Sequence, residues 1–563
     1  VKVKFILFLF LSSLLYAGMT PLFFQGNKNI NNRELYEALA LEKPYFYEFW
    51  KDEPVVEEKT IPLLVQTIKN YYKTKGFFNA SVTYTQSDKA IVIEILENGP
   101  IRIADLTTIS KLDIKSKIPF KVGDIFDATQ FTQSKKDIKL IYANDSYCNA
   151  EINAKAWIDI EKNNAYLAYD VVANTPCHVR SVTISPPESI DSDIIKSLLY
   201  FKENKLFTTK DIASSYVNLY GYEGISKVII NTNIENNNSV SINVNISENE
   251  KPIRFEGGLG FSSEEGAMAS LALKHRNIFG NLKTVSLETR VTQIKQTVKT
   301  NFAMPLTSGD STGAEFGFQN EDFIGFKESR VFTSIYLKQR YIPHHFKESL
   351  VFDNSNTYGS DDKILFPEGT LVILSPKLEW DYDTRDKILD PKKGYFLHSE
   401  IMGSLLSQIS DATYYKLKLL GGYILPLQNS TLAMRANFGT LSLIDGDIPA
   451  SYRFYAGGMN SNRAYNYNTL GPTNSSGAPL GFNSIFETTV EYRFPIYGPF
   501  RGVIFNDNTF IGDNDIPNGN GYYSAGVGLR YVTPIGPLAI DVGFDISHPS
   551  THYALHFRVG ELF

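Results

Sequence analysis

GYYSAGVGLRYVTPIGPLAIDVGFDIS, residues 521–547, is written with a period of two. Ala525, Val527, Leu529 and Tyr531 alternate with Gly526, Gly528 and Arg530. After a turn expected at 534–537, Leu538, Ile540, Val542 and Phe544 alternate with Ala539, Asp541, Gly543 and Asp545. Successive side chains of a strand point to opposite faces, so each arm has one apolar face and one charged or small face. The pattern recurs upstream. In YYKLKLL, Tyr415, Leu417 and Leu419 face away from Lys416 and Lys418; in TVSLETRV, Val285, Leu287 and Val291 oppose Ser286, Glu288 and Arg290.

Such alternation fills residues 253–563, and two architectures accommodate it. A soluble sandwich or propeller buries the apolar face against a second layer. A transmembrane barrel turns it to lipid and encloses a polar lumen. High Tyr and Phe content, the length and the leading segment favour the barrel, because a bilayer accepts only helices or closed sheets. At roughly 19 residues per strand and loop, about 16 antiparallel strands are expected, an even number.

The leading segment, VKVKFILFLFLSSLLYAGMT, reads as a signal peptide over 1–17. Lys2 and Lys4 precede an apolar core at 5–15, and Ala17 suits cleavage. An uncleaved anchor is the alternative, but the apolar run is short for a span. Without the two lysines the formal charge goes from −6 to −8. A nucleic-acid partner is not expected, because its footprint would be basic.

Residues 20–252 mix helical and strand periods, and one pattern comes three times. IPLLVQTIKNYYKTKG puts Ile61, Leu64, Val65, Ile68 and Tyr72 on one helical face, closed by Gly76, before the strands NASVTYT and AIVIEIL. SKKDIKLIYANDSY and KDIASSYVNLYGYEG begin the other copies, with Ser146 and Gly224 at the same corner. Ser146 is the exception among glycines and predicts a strained or altered turn. Three tandem α+β modules follow, over 20–100, 101–176 and 177–252. Cys148 and Cys177 flank a hairpin turning near 161–164, so their ends lie close. They either pair, gaining about 3 kcal/mol in the chain-entropy model, or remain two buried thiols.

No catalytic constellation assembles, so no enzyme activity, cofactor or metal is expected. Asp383, Arg385 and Asp386 lie in DYDTRDKILDPKKG, whose Pro391 and Gly394 mark a hairpin. His552 and His556, four residues apart on an extended strand, are ~13 Å apart and too distant to share an ion. His344 and His345 fall in a loop-like stretch without ligand partners. FYAGGMNSNRAYNY, 454–467, reads at first as a surface loop in which Gly and Asn turn the chain and Arg463 meets water.

Four stretches carry a resemblance. They are GLGFSSEEG at 258–266, LEWDYDTRDKILDPKKGYFLHSEI at 378–401, the 454–467 stretch, and the ending VEYRFPI, FNDNTF and LHFRVGELF. With the three modules, which look like POTRA domains, they are similar to the outer-membrane assembly superfamily that includes BamA, TamA and the two-partner-secretion transporters. Three POTRA domains, and the closing VGELF, look TamA-like. The resemblance implies a lumenal loop in which Arg463 meets Glu491 and Asp507, with Tyr465, Gly457 and Gly458 shaping it. Ala464 replaces the family's glycine after the arginine. The resemblance also implies a weak seam between the first strand, near 253–262 with Gly257, Gly258 and Gly260, and the last, with Phe557, a kink at Gly560 that turns Glu561 away, and Phe563. It implies an outer-membrane protein of a Gram-negative bacterium with periplasmic POTRA domains. Its partners would be unfolded outer-membrane clients, outer-membrane lipid and a TamB-like protein. The alternative is an export pore for one dedicated secreted protein.

Overall fold

The structure, a computed structural model, describes residues 19–44, 53–87, 89–235, 238–388, 390–405, 408–519, 521–533 and 538–559. The leading segment, the 534–537 turn, Gly560, Glu561 and Phe563 lie outside the described residues.

Three small sheets precede the barrel, and each places its last strand between the first and the penultimate one; in the first sheet Val55–Glu57 adds a fourth strand at the edge. In the first module Met19–Gln25 runs parallel to Ala90–Leu96, which pairs antiparallel with Ser81–Ser87. The helix Ile61–Thr74 covers this sheet because Ile61, Ile68 and Tyr72 fall on one face and are fully buried. Gly76 ends it at φ +89°. The second module repeats the plan with Arg102–Ile109, the helix Ala128–Asn144, Glu151–Asp159 and Asn164–Val172. The third has His178–Ser185, helices Ser192–Ser197 and Thr209–Tyr220, and strands Ile225–Ile234 and Ser239–Glu248.

The three corners differ physically. Ser146 adopts φ +72°, a left-handed conformation costly for a side chain, and its carbonyl accepts the N–H groups of Cys148 and Cys177. Gly224 is not left-handed; a Cβ there would stand 2.8 Å from the carbonyl oxygen of Arg276. Cys148 and Cys177 are joined in a disulfide.

Residues 253–559 form one sheet of sixteen antiparallel strands in chain order, from Ile253–Ser262 to Tyr553–Val559. The burial pattern inverts that of a soluble sheet. In Leu538–Asp545, Ala539 and Asp541 are buried whereas Ile540 and Phe544 are exposed. In Gly521–Tyr531, Arg530 is buried and Val527, Leu529 and Tyr531 are exposed. Only a surrounding hydrocarbon makes that arrangement favourable, since apolar side chains gain nothing by facing water. At one rim Phe346, Trp380 and Tyr382 gather round His344, and Tyr395 stacks on Tyr382, as an aromatic belt. His344 and His345 therefore begin the strand His344–Tyr358 and are not in a loop. Among the described residues no helix is long and apolar enough to cross a membrane; the barrel crosses with strands.

Two compact units divide the chain inside the third module. Among the described residues, one holds those of 19–182, 201–213 and 231–242; the other holds those of 183–200, 214–230 and 243–559.

Candidate functional site

The loop between the eleventh strand, Ser430–Gly446, and the twelfth, Ser484–Tyr497, does not lie on the surface. Arg463, Asn462 and Ala464 are buried, Arg463 with no exposed surface at all. The loop turns at Gly457 (φ +99°) and Gly458 (φ +107°), and a Cβ on Gly457 would press on the Asn466 carbonyl. Ala464 is not in the left-handed region, so the substitution for glycine there carries no backbone strain.

Arg463 meets three carboxylates on inward faces of strands. Its Nε and Nη2 donate to the two oxygens of Asp507 at 2.8 Å each, a two-pronged contact that the planar guanidinium matches. Its backbone N–H adds a third bond to Asp507 at 3.1 Å. Nη1 donates to Glu491 at 2.5 Å and lies 3.4 Å from Asp541. Phe505 caps the guanidinium, with the ring centroid 3.4 Å from Cζ.

The sequence signature omits several members of this cluster. Arg493 holds the other oxygen of Glu491 at 2.9 and 3.0 Å. Arg530 forks onto Asp541 at 2.6 and 3.1 Å. The interleaved charges keep each carboxylate paired, which a buried ion requires. Gly543 lets the loop approach the wall: a Cβ there would lie 2.9 Å from the Ala464 amide nitrogen. The Tyr465 hydroxyl donates to Asp545. Asp541, Gly543, Asp545 and Arg530 all occupy the charged or small parity of 521–547, so inward parity was the signal that could have found them.

Two further residues tie the loop to the ends of the sheet. Met459 N–H donates to Glu264, in the turn after the first strand. Its carbonyl accepts from Arg558 Nη1 of the last strand at 3.0 Å. His556, on the same strand, lies with Nε2 3.1 Å from the Arg463 carbonyl, while His552 precedes the strand.

The first and last strands share no backbone ladder among the described residues. The Phe557 N–H reaches the Ser263 hydroxyl at 3.4 Å. Gly257, Gly258 and Gly260 lie on the first strand, which is exposed along both faces up to Phe261. A Cβ on Gly257 would meet almost nothing, so glycine there leaves an edge with little side-chain packing.

In the 378–401 hairpin Asp383 accepts from Arg385 Nε at 3.0 and 3.1 Å, and the Asp386 carboxylate accepts the Lys392 N–H at 2.9 Å. These charges shape a turn.

The Omp85 superfamily domain matches residues 277–563. The chain belongs to the Omp85 superfamily. Two POTRA repeats, described as the surface antigen variable number repeat, match residues 21–98 and 99–174. The chain is 22% identical to outer membrane protein assembly factor BamA of Nitratidesulfovibrio vulgaris, over 93% of this chain and 70% of that one. It is 18% identical to BamA of Neisseria meningitidis serogroup B, over 94% and 76%. The crystal structure of Haemophilus ducreyi BamA lacking POTRA domains 1–3 superposes with a TM-score of 0.56 at 16% identity, covering 82% of this chain and 99% of that one. This Omp85 member is an outer-membrane β-barrel with POTRA domains.

Proposed function

We propose that this protein is an outer-membrane assembly factor. POTRA modules receive unfolded outer-membrane proteins, by adding client strands to exposed sheet edges. The barrel then opens at its seam and offers the first strand as a template. The observation that carries the reading is the missing ladder between Ile253–Ser262 and Tyr553–Val559 in a sheet whose other neighbours are all laddered. An unpaired edge in lipid is costly, so a client strand that completes its hydrogen bonds is drawn to it. The similar BamA proteins, which are assembly factors, support the same direction. No covalent bond is made or broken in this process, so the role calls for neither enzymatic chemistry nor a cofactor. The three modules favour a TamA-like role within this class, with a TamB-like partner and outer-membrane lipid as a further cargo.

The test is a crosslink across the seam. One cysteine goes into 255–261 and one into 553–559, with Cys148 and Cys177 replaced by serine. Loss of client assembly on oxidation, restored by reduction, is the expected result. Full assembly with the seam locked overturns the reading and points to export through the lumen or to lipid traffic.

A further inference from the structure

The turn that joins the last two strands brings together a carboxylate and two imidazoles. His552 donates its N–H to the His548 carbonyl at 3.0 Å, closing one helical turn that puts the two side chains four residues apart on the same side. Their ring centroids are 5.9 Å apart. Asp545, which ends the preceding strand and is only 5% exposed, stands beside them. One ligand atom from each of the three lies within 4.8 Å of the others.

The Asp545 carboxylate is oriented but not saturated. Oδ1 accepts the N–H groups of Ser547 and His548 at 2.7 and 3.3 Å. Oδ2 accepts the Tyr465 hydroxyl and faces His548 Nδ1 at 3.9 Å. That separation is too long for a hydrogen bond. It is about half an ångström longer than the ~3.4 Å that separates an oxygen and a nitrogen each held at about 2.0–2.2 Å on one tetrahedral ion. His548 and His552 are exposed, so rotation of their side chains closes the remaining distance.

We propose that Asp545, His548 and His552 form a binding site for a borderline divalent cation of the zinc type. Two imidazoles and one carboxylate suit such an ion, and water completes the fourth position. The Tyr465 hydroxyl orients the carboxylate from the outer shell. Because Tyr465 belongs to the lumenal loop and Asp545 to the strand paired with the last one, the ion ties the final hairpin to the loop. The sequence reading sets His552 and His556 on one strand, too far apart to share an ion; the structure turns His556 inward to the Arg463 carbonyl and places His552 before the strand, beside His548.

Titration of the full chain in detergent micelles with zinc chloride, read by calorimetry, tests the site. The wild type is expected to bind one zinc ion, with magnesium chloride giving no heat above dilution. The His548→Ala/His552→Ala double variant is expected to lose affinity tenfold or more. Cobalt(II) should give visible d–d bands in the wild type that the double variant lacks, and a heat-unfolding midpoint shared by both metal-free proteins shows that the variant is folded. Absence of stoichiometric zinc binding, or binding unchanged in the double variant, overturns the proposal.

Discussion

Arg558 of the last strand donates to the Met459 carbonyl at 3.0 Å, while the N–H of the same methionine goes to Glu264 behind the first strand. One loop residue therefore bridges the first and last strands, which share no ladder among the described residues. Arg558→Gln or Glu264→Gln should each loosen the loop by about 1–2 kcal/mol, the scale of a charged hydrogen bond. Amide exchange across residues 455–467 should then quicken roughly five- to thirtyfold. Unchanged exchange would show that the loop is held without the seam residues.

Arg463 should tolerate no replacement well. Arg463→Met leaves Glu491, Asp507 and Asp541 buried with one cation fewer, a loss of about 3–5 kcal/mol for breaking a buried pair. Arg463→Lys should recover only part of it, because an ammonium cannot fork onto Asp507 while reaching Glu491. Urea unfolding in lipid bilayers measures both, and equal stabilities for Lys and Arg would refute the need for the fork.

Gly543→Ala tests the close approach without altering a charge. The added methyl meets the Arg463 backbone, so loop or strand must shift, at about 1–3 kcal/mol. Gly257→Ala, where a Cβ finds open space, is the control and should change stability by less than about 0.5 kcal/mol.

Glu97 gives the first module a pH dependence. Burial pushes its carboxyl up, but the Asn29 backbone and side chain and the Tyr72 hydroxyl outweigh that and hold it below its ordinary value of 4.5. A depressed carboxylate stabilises the fold above its unfolded value and loses that contribution as pH falls through the folded one. At pH 7, Glu97→Gln should destabilise the module by about 1–3 kcal/mol. The difference should shrink below pH 4.5, as read by amide exchange at residues 90–97. A constant difference down to pH 3 would contradict it.

Reducing the disulfide between Cys148 and Cys177, 29 residues apart, frees a loop whose closure is worth about 3 kcal/mol. Cys148→Ser/Cys177→Ser should lower the unfolding midpoint of the second module in denaturant while the barrel transition stays put. A midpoint unmoved by the double replacement would mean that packing alone holds the corner at Ser146.

Alternation alone was enough to read the barrel half, because a two-residue period assigns each side chain to a face wherever the strands pair. The strand count follows from length, and the helical face at Ile61, Ile68 and Tyr72 identifies the first module. Resemblance pointed to Arg463, Glu491 and Asp507, and parity already placed Asp541, Gly543 and Arg530 inward. What parity cannot supply is which residues far apart in the chain, such as Met459 and Glu264 at 195 positions, face one another. That depends on how the sheet curls and how deep the loop descends. So the contact of Gly543 with the Arg463 backbone, the bridging of Met459 between Glu264 and Arg558, and the departure of His552 from the last strand toward His548 exist only in the tertiary structure. Local periodicity is a property of neighbours along the chain; a lumenal site is made by residues that closure brings together.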